Sequence, residues 1–292
     1  MADTVSLSIL ISIFNQADFV EEMLASIEKQ DYRDFEVIIV NDGSTDDTMK
    51  ILDSSKYPWL QVVHKENGGK CSGFNRAFEA SKGAYICLFA GDDIYMPDAF
   101  QTKIDFIEAR QLDFVKSKLQ LLAPGSALNG RVVPKRAGRG NSSGGSLIFS
   151  RAFAEKTFPI PAELPNEDQW LNLAAERLGF SCGETGKVTY CLRLHDSNDF
   201  SRNMDFASLS RKMAARNKVH LIFLEKFSEF LTSKERADLE AIYNLDISRQ
   251  KGLLVEILMS SAGLRKKIWA LFHANAFLYS VKKAIRPLLI GL

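Results

Sequence analysis

The first half of the chain repeats one pattern of apolar and polar positions. Short runs of β-branched and apolar residues, typical of buried strands, precede stretches in which apolar residues recur at helical spacing. Residues 5–13 form the first run, and Phe19, Met23, Leu24 and Ile27 mark the helix after it. Further strands are predicted at 35–40, 60–63 and 84–89. Strands and helices that alternate in this way predict an α/β fold, with a mostly parallel sheet covered by helices.

The second half of the chain follows a different pattern. Residues 123–145 are rich in Gly, Ser and Arg, which predicts a loop with one hairpin, and we expect a mobile lid there. Strands are predicted at 146–150 and 187–194, with a helix at 166–179 between them. From about Asp205 onward the periodicity is helical. We therefore expect an α/β domain over residues 1–203 and a helical C-terminal region over residues 204–292.

Composition adds limits on size, partners and compartment. The chain has 292 residues, 46% of them hydrophobic, which is enough for one large domain and an appendage. A net charge of +1 offers no basic footprint for nucleic acid, so no nucleic-acid partner is expected. The four cysteines have no metal or redox spacing, the first residues lack the pattern of a signal peptide, and no run reaches the length of a membrane span. These features favour a cytoplasmic protein.

The charge is unevenly distributed, however. After Glu256 the chain has six basic residues and no acidic one, whereas the preceding 256 residues hold 31 basic and 36 acidic side chains. In residues 263–292 the basic clusters alternate with apolar residues. This pattern fits a helical pair that packs on the rest of the protein or on a second copy of the chain. It also fits attachment to the surface of an anionic membrane.

Polar side chains follow each predicted strand of the first half. They are Asn15 after the first strand, then the loops 41–47, 66–70 and 90–93. In a parallel sheet, ligands bind outside the carboxyl ends of the strands, so these four loops are the expected location of a binding site.

The second and third of these loops suggest contacts to a nucleotide. Helix capping would account for Ser44 and Asp46, but not for Asp42, whose carboxylate could accept hydrogen bonds from a nucleobase or a ribose. In ENGGK the glycines allow close approach of the backbone to a ligand, and Lys70 offers a cation for phosphate. This loop matches neither a P-loop nor a dinucleotide fingerprint, and a plain turn would also explain its glycines.

Three further acidic or basic groups are candidates for chemistry. Asp92 and Asp93 end a buried strand, where they either cap a helix or hold a hard cation such as Mg²⁺ or Mn²⁺ together with diphosphate oxygens. Glu167 and Asp168 open a helix, where the helix dipole alone would favour carboxylates. His195 follows the last predicted strand and could be a metal ligand, a phosphate contact or a buried hydrogen-bonded histidine.

Taken together, these motifs resemble the inverting family 2 glycosyltransferases, which have the GT-A fold. The resemblance runs from Val5 to about Ser201. It is carried by LISIFN, QDYRDFEVIIVNDGSTDDT, ENGGKCSGFNRAFEASKGAYICLFAGDD, NEDQW and YCLRLHDSN. The second and third of these segments, in this order and spacing, are highly specific.

The resemblance implies how the sugar donor would be bound. Asp42 would recognise the base of the donor nucleotide, with Ser12 and Asn15 lining that pocket. Gly69, Lys70 and Asn75 would surround the nucleotide. The first position of the family's Asp-Xaa-Asp element is Ala90 here, so Asp93 would have to supply the ribose contact. Phe74 and Asn41 also depart from the family pattern, which bears on the identity of the donor.

The resemblance likewise implies the metal site and the reaction. Asp92 and His195 would hold Mn²⁺ or Mg²⁺ against the donor diphosphate, and Asp168, with Glu167 as the next candidate, would be the catalytic base. The implied enzyme is a hexosyltransferase-type glycosyltransferase that inverts the anomeric centre. It would move a sugar from a nucleoside-diphosphate sugar, with UDP favoured, to a glycan or lipid-linked acceptor. Many relatives build bacterial surface polysaccharides or glycolipids on lipid carriers.

Two other classes of protein remain as alternatives. One is a catalytically inactive protein of the same fold that only binds nucleotide sugars, which Ala90 makes plausible. The other is a sugar-phosphate nucleotidyltransferase, but the Gly-rich basic loop that such enzymes have after the first strand is replaced here by SIFNQADF.

Overall fold

A computed structural model of the chain describes residues 5–195 and 204–290. The chain divides into two compact units, Met1–His195 and Asp196–Leu292. The domain boundary expected between residues 203 and 204 falls at the edge of residues 196–203, which lie outside the described residues, so that boundary stays a prediction.

The first unit contains nine strands and six α-helices among its described residues. The strands are β1 (Leu7–Ile13), β2 (Phe35–Asp42), β3 (Leu60–Lys65), β4 (Tyr85–Phe89), β5 (Ile94–Tyr95), β6 (Phe114–Leu122), β7 (Val132–Val133), β8 (Leu147–Ser150) and β9 (Cys182–Arg193). The helices are α1 (Val20–Glu28), α2 (Thr48–Ser54), α3 (Lys70–Ala80), α4 (Ala99–Ala109), α5 (Arg151–Thr157) and α6 (Asp168–Arg177).

All nine strands form one mixed sheet. Its order is β3-β2-β1-β4-β8-β6-β9-β5, with β7 paired to β6. Strands β3, β2, β1 and β4 are parallel neighbours, and β8 lies antiparallel between β4 and β6. Six of the seven residues of β1 are buried, as are seven of the eight in β2, because helices cover both faces of these central strands. The predicted α/β class, with a sheet flanked by helices and a helical C-terminal region, is confirmed.

The segment 123–145 supplies the turn and the second strand of one hairpin, whose first strand is β6. Strand β7 pairs antiparallel with β6, with Leu119 opposite Val133. A short 3-10 helix, Gly144–Ser146, then leads directly into β8. The hairpin is therefore confirmed, whereas a lid motion stays a prediction.

Helix α2 begins at Thr48, three residues later than an N-cap at Ser44 would place it. The Ser44 Oγ accepts a hydrogen bond from the backbone N–H of Asn15 at 3.0 Å, and the Thr45 N–H donates to the Asn15 Oδ1 at 2.8 Å. Since both residues bind the loop after β1, neither caps the helix, which starts at Thr48. The contact joins the loops after β1 and β2.

The second unit is helical throughout its described residues. Its helices are α7 (Phe206–Asn217), α8 (Val219–Phe227), α9 (Ser233–Gln250), α10 (Leu254–Met259), α11 (Leu264–Phe272) and α12 (Ala276–Ile290). Thr232 and Glu235 form a capping box at the start of α9, with a hydrogen bond in each direction. Over the described part of the chain, no helix combines the length and the apolar composition that crossing a membrane would require.

Candidate active site

Asp42 ends β2 and holds the loop that follows β3. The Lys65 ammonium lies 2.5 Å from the Asp42 Oδ1, and the backbone N–H groups of Gly68 and Gly69 donate to the carboxylate at 3.0 and 2.8 Å. The Asp42 side chain is only 3% exposed. In this arrangement its carboxylate fixes residues 66–69, and its contact with a nucleobase stays a prediction.

The two residues predicted to line the same pocket lie beside it, on β1 and in the loop after it. Ser12 packs closely against Gly73 of α3. A Cβ added at Gly73 would lie 2.1 Å from the Ser12 Oγ, so only glycine fits at this position. Asn15 is exposed and adopts a positive φ of 51°, a conformation that asparagine tolerates better than most residues. The ends of β1, β2 and β3 therefore meet at one edge of the sheet, as their parallel order requires.

Lys70 joins this edge of the sheet to the acidic start of α6. It is the first residue of α3, and its ammonium lies 3.2 Å from both oxygens of Glu167, donating a hydrogen bond to Oε1. The Glu167 side chain is 3% exposed, so its charge is buried and its ion pair with Lys70 compensates that cost. Residues 97 positions apart are brought together, which the sequence motifs alone did not reveal.

The predicted base is less buried than its neighbour. Asp168 is the first residue of α6 and is partly exposed, and its Oδ1 accepts a hydrogen bond from the Gln169 N–H at 2.7 Å. Gly144 packs against the same helix start, because a Cβ there would lie 2.3 Å from the Glu167 Oε1. The 3-10 helix thus lies directly against the Glu167 carboxylate and leaves no room for a side chain at position 144.

Asn75 has a partner inside the protein. Its Nδ2 donates to the Ile160 carbonyl and its Oδ1 accepts from the Ile160 N–H, both at 2.7 Å. This pair of bonds ties α3 to the segment that leads to α6. A contact between Asn75 and the nucleotide stays a prediction, and the observed bonds give this residue a structural role.

The two predicted metal ligands lie side by side. The His195 Nε2 is 2.9 Å from the Asp92 Oδ2, although the residues are 103 positions apart. Both side chains are partly accessible, at 17% and 16% exposed, and the Phe19 ring lies 5.0 Å from the His195 ring. The Asp92 carboxylate is a ligand suited to Mn²⁺ or Mg²⁺, and the His195 imidazole is a common metal ligand.

Asp93 points into the protein instead. It is 3% exposed, and its Oδ1 accepts a hydrogen bond from the Arg193 N–H at 2.9 Å. Burial raises the pKa of Asp93 well above its usual range, and the nearby charge of Asp92 raises that pKa further. The Arg193 guanidinium also donates to the Asp92 carbonyl and contacts Glu22. A contact between Asp93 and the donor ribose stays a prediction.

The described residues fit a metal that is shared with a substrate. Among residues 5–195 and 204–290, no three His, Cys, Asp or Glu side chains cluster in a way that could hold an ion alone. Asp92 and His195 supply two ligands, which matches the way in which Mg²⁺ and Mn²⁺ are commonly held by few protein groups and substrate phosphates.

Several residues of this site were missed by the sequence reasoning. Lys65, Gly144 and Arg193 each contact a predicted site residue, as described above. Lys65 is the most recoverable of the three, because β2 and β3 pair in parallel and place it directly beside Asp42. The contacts of Gly144 and Arg193 depend on how distant segments pack, and no local sequence pattern predicts them.

Comparison with known proteins agrees with this geometry. Residues 8–126 match the family model for glycosyl transferase family 2. The chain is 34% identical over 110 residues to the uncharacterized glycosyltransferase EpsJ of Bacillus subtilis, covering 37% of this chain and 32% of EpsJ. It is 31% identical over 112 residues to the glycosyltransferase GlyG of Streptococcus pneumoniae, covering 37% of each chain. The matches therefore span only about a third of the length of these relatives.

Solved structures show the same fold over nearly the whole chain. Residues 1–349 of TarS from S. aureus, in complex with UDP-GlcNAc, superpose with a TM-score of 0.62 at 19% identity, covering 97% of this chain and 86% of that one. The mannosyltransferase PcManGT from Pyrobaculum calidifontis, in complex with GDP-Man and Mn²⁺, gives a TM-score of 0.62 at 15% identity, covering 95% and 86%. The likeness to these structures shows a fold of the GT-A type, and the match to the family 2 model is confined to residues 8–126.

Proposed function

We propose that this chain transfers a sugar from a nucleoside-diphosphate sugar to an acceptor hydroxyl. The observation that carries the proposal is the meeting of Asp92 with His195 at the edge of the sheet. The Lys70–Glu167 pair lies on the same unit, and the charge of Lys70 acts on Asp93 beside Asp92. Asp92 and His195 could hold a metal and Lys70 supplies a cation, which are the groups that departure of the diphosphate requires. The carboxylates Glu167 and Asp168 could remove the proton of the acceptor.

The donor side of the reaction belongs to Asp92, His195 and Lys70. Asp92 and His195 would hold Mn²⁺ or Mg²⁺, which would act as a Lewis acid on the leaving diphosphate. Lys70 would add a positive charge near the phosphates, and Asp42, Ser12 and Asn15 would form the nucleotide pocket. A UDP-sugar is favoured, and a GDP-sugar is the next choice, because the neighbours TarS and PcManGT hold UDP-GlcNAc and GDP-Man.

The acceptor side belongs to the start of α6. Asp168 would take the proton of the acceptor hydroxyl as it attacks the anomeric carbon, because it is more accessible than Glu167. Glu167, held by Lys70, would keep the start of the helix in place. A single displacement of this kind inverts the anomeric centre. The acceptor would be a glycan or a lipid-linked glycan in bacterial surface polysaccharide or glycolipid assembly, and the sugar would be a hexose.

The proposal extends to the location and organisation of the chain. Residues 1–203 would form the catalytic domain, and residues 204–292 a helical region that contacts a membrane surface or a second copy. The enzyme would work in the cytoplasm, at the inner face of the membrane.

Release of free nucleotide from a panel of UDP-, GDP- and dTDP-sugars, with Mn²⁺ or Mg²⁺ present, tests this function. A glycosyltransferase releases nucleotide from at least one donor, by transfer or by slow hydrolysis. The alternative, an inactive nucleotide-sugar-binding protein, is favoured by Ala90 in place of a carboxylate. Such a protein would gain thermal stability with UDP and metal but release no nucleotide from any donor, alone or with a pool of acceptors.

A further inference from the structure

The second unit has a small core that leaves much apolar surface outside. Ile257 of α10 and Ala270 of α11 are buried together with Leu245 of α9. A residue two positions away on a helix points about 200° around the axis, on the opposite side. Val255 and Met259 occupy that opposite side of α10, and they are 73% and 81% exposed.

Helix α11 and the start of α12 also carry exposed apolar side chains. Leu264 is 72% exposed, Phe277 is 74% exposed, and Ile268 and Trp269 are also exposed. We refer to the exposed apolar side chains of α10, α11 and the first turn of α12 as the α10–α12 surface. They are Leu254, Val255, Leu258, Met259, Leu264, Ile268, Trp269 and Phe277. So many large apolar side chains within 24 residues mark an interaction surface rather than ordinary scatter.

The charges on these same helices are mainly positive, with Glu256 of α10 as the one acidic side chain among their described residues; it accepts a hydrogen bond from the Ser248 hydroxyl. Arg265 and Lys266 are exposed on α11 and Lys283 is exposed on α12, whereas Glu256 is the last acidic residue of the chain. Lys266 lies 3.7 Å from Asp238 of α9, and Lys267 donates to the Leu258 carbonyl. Arg265 and Lys283 therefore add positive charge beside the exposed apolar side chains. An occupant of this surface has to offer both apolar contact and negative charge.

We propose that the α10–α12 surface docks on an anionic lipid bilayer. Apolar side chains that enter the boundary between headgroups and acyl chains, with lysine and arginine beside the phosphates, are the two contributions that hold peripheral helices on membranes. A second copy of this chain fits less well, because two copies of a patch with net positive charge would face each other and repel. This docking does not depend on the proposed transfer reaction.

Flotation of the full-length protein with phosphatidylcholine vesicles, with and without phosphatidylglycerol, tests the proposal. We expect binding to the anionic vesicles to exceed binding to neutral ones by about ten-fold at low salt, and to weaken as salt screens the charges. The assay contains no sugar donor, so its result is independent of any failure of transferase activity.

Two matched variants localise the contact. Met259→Glu should weaken binding to the anionic vesicles by about ten-fold, because it replaces an apolar side chain with a charge that the lipid phosphates repel. Met49→Glu, at an exposed methionine of α2 in the first unit, should bind like the wild type. Circular dichroism and thermal melting would check that both variants are folded.

Several results would overturn the proposal. They are no binding to either vesicle at low salt, equal binding to both vesicles, and a Met259→Glu variant that binds like the wild type. Concentration-dependent dimers that Met259→Glu dissociates, without vesicle binding, would assign the surface to a second copy of the chain instead.

Discussion

At the scale of single residues, Asp92 and His195 carry the proposed donor site. They come from the loop after β4 and from the residues after β9, and they meet at 2.9 Å. Asp92→Asn keeps the size of the side chain but removes the charge that a divalent cation needs. We expect it to abolish the gain in UDP affinity that Mn²⁺ gives, while the melting temperature stays near that of the wild type.

Calorimetric titration with UDP, with and without Mn²⁺, measures this change. Asp98→Asn is the matched control, since Asp98 is an exposed carboxylate six positions along the same segment. If Mn²⁺ enhanced UDP binding equally in Asp92→Asn and the wild type, Asp92 would not belong to a metal site.

Asp168 carries the proposed proton transfer. Asp168→Asn preserves the shape of the side chain and removes its basicity, so transfer should fall by about 10²-fold or more, with donor affinity within a few-fold of the wild type. Initial rates of sugar transfer and UDP titrations measure the two effects separately. Glu155→Gln, at an exposed carboxylate of α5, should leave both unchanged. Near-normal transfer by Asp168→Asn would move the role of base to another group, with Glu167 first.

Sequence motifs indicated candidate site residues but not the partners of those residues inside the protein. Asp92, His195, Glu167 and Asp168 were identified from their positions at strand and helix ends, and the structure places the first two in contact. The same motifs did not show that Asn75 would bind the Ile160 backbone, 85 residues away. Such a bond depends on tertiary packing, and a single sequence holds no local record of it.

At the scale of elements, the 3-10 helix Gly144–Ser146 positions the acidic start of α6. In Gly144→Ala the added methyl group would lie 2.3 Å from the Glu167 Oε1, so the carboxylate and its bond to Lys70 must shift. A displacement on the order of 1 Å at such a site commonly costs about 10²-fold in rate, which is the loss we expect in transfer.

Gly186→Ala is the control for that substitution, because its nearest non-neighbouring atom would lie at an ordinary 3.7 Å. Transfer rates and melting temperatures of the two variants should be compared. A Gly144→Ala enzyme with wild-type transfer would show that Glu167 does not need its present position.

Helices α11 and α12 are joined by a histidine whose protonation would disrupt the contact. The His273 Nδ1–H donates to the Trp269 carbonyl at 2.7 Å, and Nε2 accepts from the Lys282 ammonium at 2.9 Å. Burial lowers the pKa of His273 below its ordinary value of 6.5, and the charges of Lys282 and Arg249 lower it further. The folded state therefore favours the neutral ring, and this contribution to stability is lost as the pH falls below about 6.5.

Thermal melting of the wild type and His273→Phe between pH 8 and pH 5 tests this dependence. Phenylalanine keeps a ring beside Trp269 and cannot be protonated, so the variant should lose less stability on acidification than the wild type does. Parallel loss of stability in both proteins would exclude His273 as the source.

Patterns along the sequence located most elements but not their order in the sheet. Periodicity placed β1 to β4 and their helices, because each lies in a local run of apolar residues. Strand β9 proved to begin at Cys182, five residues before its predicted start, because its first part pairs with β6 through polar positions such as Glu184. The position of β8 between β4 and β6 is determined by tertiary packing, which no local sequence pattern specifies.

At the scale of the whole molecule, the family match covers residues 8–126, and the likeness of fold extends over nearly all of the chain. Asp168 and His195 lie outside the matched residues, so their roles depend on the geometry of the site and on experiment.

The most direct measurement is release of nucleotide from UDP- and GDP-sugars by the wild type and by Asp92→Asn, with Mn²⁺ and after its removal by chelation. We expect the wild type to release nucleotide from one donor only when Mn²⁺ is present, and Asp92→Asn to release almost none in either condition. Release that persists equally in Asp92→Asn, or its absence from the wild type with every donor, would contradict a metal-assisted transferase centred on Asp92.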